Sequence, residues 1–123
     1  MSARPVHFDM SARDPERMAG FYSTVFGWTC HKQDGPNPYW WFQTGPDSEP
    51  GINGGIWKQP EGLPPATVNS MRVESLDETL AAILEAGGKI EIEKFQIPGV
   101  GWWAQAQDTE GNLFGVLQPE NAG

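Results

Sequence analysis

His7 and Asp9 are the residues of this chain best suited to chemistry. In Pro5-Val6-His7-Phe8-Asp9-Met10 they alternate with apolar neighbours, so a strand there sets both polar side chains on one sheet face. An imidazole beside a carboxylate titrates near neutral pH and can carry a proton, which makes His7 and Asp9 the candidate catalytic residues, with His7 as general base. The structural alternative for His7 is a hydrogen-bonded histidine in a cavity wall. The other histidine, His31, follows the single cysteine, Cys30. Adjacent strand residues point to opposite faces, so this pair cannot chelate one ion together, and His31 reads as a solvated strand-end residue.

The elements that must position these residues occur twice. In the first copy Asp14-Pro15 supplies an N-cap and a proline at the first helical position, Met18, Phe21, Tyr22, Val25 and Phe26 follow at helical spacing, and Gly27 stops the helix. Strand-like segments 28–33, 39–43 and 52–58 come next, separated by the turn-rich stretches Asp34-Gly35-Pro36-Asn37-Pro38 and Gly45-Pro46-Asp47-Ser48. A short, stiff connector, Pro60-Glu61-Gly62-Leu63-Pro64-Pro65, leads to the second copy. There a strand over 67–73 precedes a helix opened by the capping box Ser75/Glu78, striped with Leu76, Leu80, Ile83 and Leu84, and ended by Gly87-Gly88. Strands over 89–95, 101–108 and 113–118 follow, the last after the turn Asp108-Thr109-Glu110-Gly111-Asn112. The pattern βαβββ, repeated, predicts an α+β fold: two modules, about 5–59 and 66–119, forming a curved mixed β-sheet around a cleft with helices outside.

Composition bounds the partners. A chain of 123 residues holds one domain, here 1–123. Sixteen acids against eight bases give a net charge of -8, which repels phosphate backbones and anionic lipid, so neither nucleic acid nor membrane is expected as a partner. One cysteine permits no internal disulfide and fits a reducing compartment, and no segment reads as a signal or a bilayer span; the expected location is cytoplasmic.

The strings Asp14-Pro15-Glu16-Arg17-Met18-Ala19-Gly20-Phe21-Tyr22, Phe26-Gly27-Trp28, Ile97-Pro98-Gly99-Val100-Gly101 and Asp108 through Gly115 resemble the glyoxalase/bleomycin resistance/dioxygenase superfamily, also called vicinal oxygen chelate. The resemblance spans about Val6 to Gln118 and is nearest to the small two-module members. It implies the fold but leaves the reaction open, since lyases, isomerases, dioxygenases, epimerases, thiol transferases and drug-binding proteins share it. Metal-dependent members take one ligand from the opening strand and one from the closing strand of each module. On this chain those positions fall at His7, at Gly54 or Gly55, at Val68 and at Gly115, with Gly55 favoured because Ile52 and Ile56 should face the helix; three of the four implied ligands are therefore missing. His7 alone does not hold a divalent ion, and no metal or other cofactor is expected.

With Gly55 facing the cavity, Asn53 and Trp57 face it too, and Trp103, Gln105 and Gln107 share one face of their own strand. Asn53, Trp57, Trp103 and Gln105 are therefore the candidate ligand-binding residues. An aromatic and amide-lined cleft suits a flat, apolar or cationic small molecule. Glycine in place of glutamate is expected to leave that cleft larger. Three functions follow: a metal-independent small-molecule binder of the bleomycin-resistance type, which this reading favours; a metal-free enzyme with His7 as base; and a metal-dependent glyoxalase-related lyase or isomerase. The resemblance also implies a homodimer.

Overall fold

The computed structural model describes residues 2–36, 38–59, 61–62 and 64–120. Asn37 of the first expected turn, and Pro60 and Leu63 of the connector, lie outside the described residues. The order is β1 (Pro5–Ala12), α1 (Pro15–Phe26), β2 (Thr29–Gln33), β3 (Tyr39–Gln43), β4 (Asn53–Lys58), β5 (Thr67–Arg72), α2 (Leu76–Glu85), β6 (Lys89–Ile97), β7 (Gly101–Gln107) and β8 (Leu113–Pro119). This is βαβββ twice, an α+β fold. His7–Thr67 forms one compact module; Val68 onward, with Val6 and the residues before it, forms the other. No helix among the described residues is long and apolar enough to cross a membrane.

In the first module the strands lie in the order β2-β3-β4-β1, with β1 and β4 parallel and the other neighbours antiparallel. The helix between β1 and β2 forms where the sequence sets its ends. Asp14 Oδ1 accepts the Arg17 amide at 3.2 Å, Pro15 occupies the first turn, and Gly27 at φ 74° closes the helix in the left-handed region that favours glycine. Met10, Ala12, Ala19, Trp40, Phe42 and Ile56 make the buried core on the helix side, with Phe8, Tyr22 and Trp28 packed against it. Full burial of Phe42 and Ile56 contributes about 1.5–3 kcal/mol each.

Because Trp40 and Phe42 turn to the helix, strand alternation sends Tyr39 and Trp41 to the opposite face, where His7 and Asp9 lie. Two expectations change. Ile52 precedes β4 and is 37% exposed rather than packed under the helix. Phe21, Val25 and Phe26 are likewise 57%, 54% and 61% exposed, because five apolar positions span a wider arc than the helix buries, and only Met18, Ala19 and Tyr22 reach the core.

In the second module the order is β5-β8-β7-β6, with β5 and β8 parallel. Val73, Leu76, Ala104 and Val116 form its core, joined by Leu80, Ile83 and Phe114. Only the forward half of the expected capping box forms: Ser75 Oγ accepts the Glu78 amide at 3.3 Å, while Gln118 Oε1 accepts the Leu76 amide at 2.8 Å. The β6 strand runs two residues past Phe95, because Gln96 and Ile97 still pair with Trp102 and Gly101 of β7; register shifts interrupt the pairing earlier, between Ile90 and Phe95.

Candidate active site

His7, Asp9 and Tyr39 form one hydrogen-bonded chain. Tyr39 Oη donates to Asp9 Oδ1 at 2.5 Å, and His7 Nε2 lies 2.9 Å from the same hydroxyl. A phenol has one proton, and it is committed to Asp9, so His7 Nε2 must carry the hydrogen of the second bond and donate it to Tyr39. The imidazole is thereby fixed as the Nε2–H tautomer, and its Nδ1 makes no hydrogen bond among the described residues. Burial, and next the Asp9 carboxylate, hold the Tyr39 phenol far above its ordinary range, so it remains a donor. The Asp9 carboxylate is also 3.5 Å from His7 Nε2, placed to stabilise an imidazolium. The edge of Trp41 meets the His7 ring at a centroid distance of 5.5 Å.

The strand register explains this convergence. His7 pairs with Asn53, Asp9 with Gly55 and Ser11 with Trp57 across the parallel β1–β4 contact. Trp41 pairs with Gly55 and Tyr39 with Trp57 across β3–β4. Tyr39 thus sits diagonally beside Gly55, and a Cβ built on Gly55 would overlap the Tyr39 ring. The second module repeats the device with other residues. Ser70 pairs with Gly115, Trp103 sits diagonally beside that glycine, and Trp103 Nε1 donates to Ser70 Oγ at 2.9 Å. A Cβ on Gly115 would fall 2.5 Å from Ser70 Oγ and 2.6 Å from Trp103 Nε1. The two glycines therefore do not enlarge a cavity, contrary to the sequence-based expectation. Each makes room for an aromatic ring from the neighbouring strand, tied by a hydrogen bond to a polar residue of the opening strand.

This settles how the residues compare with a divalent-metal set. Val68 has no donor atom, and positions 55 and 115 have no side chain, with the space beside them taken by Tyr39, Trp103 and Ser70. Among the described residues no group of three His, Cys, Asp or Glu side chains is arranged to hold an ion. The donors do not fit the metal that the superfamily implies.

The remaining candidates divide between the modules. Asn53 and Trp57 share the His7 face through their register, and Asn53 Oδ1 accepts the Thr44 amide at 3.0 Å and its hydroxyl at 3.3 Å, so that oxygen is already engaged. Trp103 and Gln105, each 6% exposed, belong to the second module. His31 is exposed, whereas Cys30 packs toward the helix-side core, and burial, then Glu16, push its thiol up. Sequence reasoning missed Tyr39 and Ser70. The signal for Tyr39 was its place two residues before Trp41 on an alternating aromatic strand; for Ser70, its place two residues after Val68.

The Glyoxalase-like domain family matches residues 6–117. No curated protein sequence matches the chain. Among solved structures, a hypothetical protein from Bacillus halodurans C-125 matches with a TM-score of 0.74 at 13% identity, over 100% of this chain and 99% of its own. The methylmalonyl-CoA epimerase of Mycobacterium tuberculosis matches at 0.67 and 13% identity, over 93% of this chain and 86% of that one. A Streptomyces coelicolor methylmalonyl-CoA epimerase in complex with 2-nitronate-propionyl-CoA matches at 0.69 and 13%, over 98% and 96%. At these identities the likeness shows the fold alone. With the sequence match covering nearly its whole length, the chain belongs to the glyoxalase-like domain family of the vicinal oxygen chelate superfamily.

Proposed function

We propose that this protein binds a small organic molecule on the His7 face of its first module and that His7 Nδ1 accepts a proton from it, without a divalent metal. The observation that carries this reading is the Asp9–Tyr39–His7 chain. It fixes Nε2 as donor and leaves Nδ1 as the acceptor, the state a general base requires. As Nδ1 takes a proton, the imidazolium is stabilised by the Tyr39 oxygen and by the Asp9 carboxylate. The solved epimerases of this fold invert a carbon centre of methylmalonyl-CoA, and proton removal by a base is the class of step assigned here. Binding without turnover is the second reading, favoured by Trp41 and Trp57 on the same face, which suit a flat ligand. Assembly as a homodimer is part of the proposal.

The test is hydrogen exchange. Carbon acids, methylmalonyl-CoA among them, are incubated with the protein in D2O with and without a chelator, and deuterium incorporation is followed by NMR. The base reading expects exchange that His7→Ala lowers about a hundredfold while binding, read by tryptophan fluorescence, is retained. Binding without exchange in the wild type supports sequestration instead. Exchange that the chelator abolishes contradicts the metal-free reading.

A further inference from the structure

We propose a second binding site on the first module, for an organic anion: a phosphate or carboxylate group carried on an apolar body. The site is a groove of about 770 Å³ between the end of β1, the first turns of α1 and the segment that leads into β5. Its walls are joined by hydrogen bonds. Ser11 N donates to Ala66 O at 2.9 Å, Ala66 N to Ser11 Oγ at 2.9 Å, and Gln59 N to Ala12 O at 3.0 Å. The groove is therefore preformed, and its volume matches that of small-molecule sites.

Charge decides the class of ligand. Arg13 and Arg17 line the same concavity, and neither side chain has an ion pair or a hydrogen-bond partner among the described residues. This is unusual in a chain with sixteen acids and eight bases, where carboxylates outnumber the cations they could neutralise. Asp14 also lines the groove, but its Oδ1 is turned to the Arg17 amide as the helix cap. Two arginines lining one concavity offer guanidinium donors, each of which can take an oxyanion bidentately, and an anion bound there satisfies them. Beside them Met18 and Phe21 supply an apolar wall, with Phe21 57% exposed and so available to cover an apolar body. The groove shares no residue with the His7–Tyr39–Asp9 chain, so it stands or falls apart from that reading.

The full chain is titrated with 1-naphthyl phosphate, 1-naphthoate, inorganic phosphate and 1-naphthol, followed by amide NMR shifts and calorimetry. The two naphthyl anions are expected to saturate with shifts at Arg13, Arg17 and Phe21, and the tighter of them identifies the headgroup. Inorganic phosphate and 1-naphthol should bind at least about tenfold more weakly, as should the anions to an R13Q/R17Q variant, whose exposed substitutions leave the core untouched. His7→Ala should leave the affinity unchanged, and added salt should weaken it. Equal affinity of R13Q/R17Q, or no saturable shift at these residues at millimolar probe, overturns the proposal. So does a groove covered by a second copy: sedimentation as a dimer that R13Q/R17Q dissociates, with no anion bound.

Discussion

Replacing Tyr39 by phenylalanine removes one hydroxyl and tests the central hydrogen-bonded chain. That hydroxyl donates to the Asp9 carboxylate and accepts from His7. A hydrogen bond to a charged group is worth about 1.5–3 kcal/mol and a neutral one about 0.5–1.5 kcal/mol. Asp9 is 8% exposed, so water replaces the lost donor poorly, and Y39F is expected to lose about 2–4 kcal/mol of unfolding free energy at neutral pH. The pH dependence is more diagnostic. Burial and Asp9 raise the folded phenol above its ordinary value of 10.0, so in the unfolded chain it ionises near pH 10 while in the folded chain it keeps its proton. The stabilisation is fully present below pH 10. Above it the unfolded state binds fewer protons than the native state, and stability falls by up to about 1.4 kcal/mol per pH unit. The variant lacks this group, so the wild-type advantage over Y39F should shrink by about 1.4 kcal/mol between neutral pH and pH 11 in urea titrations, with contributions common to both proteins cancelling in the difference. A difference under about 0.5 kcal/mol at neutral pH, or one constant to pH 11, refutes the reasoning.

Other outcomes follow from the glycine–aromatic pairs and the free thiol. Gly55→Ala should cost about 1–3 kcal/mol by forcing its methyl against the Tyr39 ring, and the cost should vanish in a Tyr39→Ala background; urea unfolding of all four proteins gives the coupling. Trp103→Phe should cost about 1–2 kcal/mol in the same assay, through loss of the buried bond to Ser70. Cys30 should alkylate more slowly than a free cysteine near neutral pH, because burial and then Glu16 raise its thiol, and Glu16→Gln should recover part of the rate.

Much of this architecture was legible in the sequence because its signals are local. Asp14-Pro15, Gly27, Ser75 and Gly87 act within a turn of themselves, and the helices begin and end where those residues place them. Gly115 was legible by counting from Asp108, and Gly55 was preferred to Gly54 from the inward Ile56; the register makes the two glycines equivalent through the Asp9–Gly55 and Ser70–Gly115 pairs. What fills the space beside those glycines was not legible. Alternation shows that Tyr39 and Trp41 share a face, but only the β3–β4 register shows that Tyr39, two residues along, leans across Gly55. A missing side chain in the sequence reads as empty space. In the folded chain a ring from the next strand takes that space, and the glycine is what lets it approach so closely. Phe21 and Val25 face outward for a related reason: helical spacing reports which residues are apolar, not how wide an arc the sheet can cover.

Aromatic rings and glycines stand where a metal centre would need donors. Elemental analysis of the protein, purified without chelator and then dialysed against nickel, zinc, iron or manganese, tests this directly. The prediction is well under one ion per chain, with no rise in melting temperature on metal addition and no change on His7→Ala. One tightly held ion per chain, lost on His7→Ala, contradicts it.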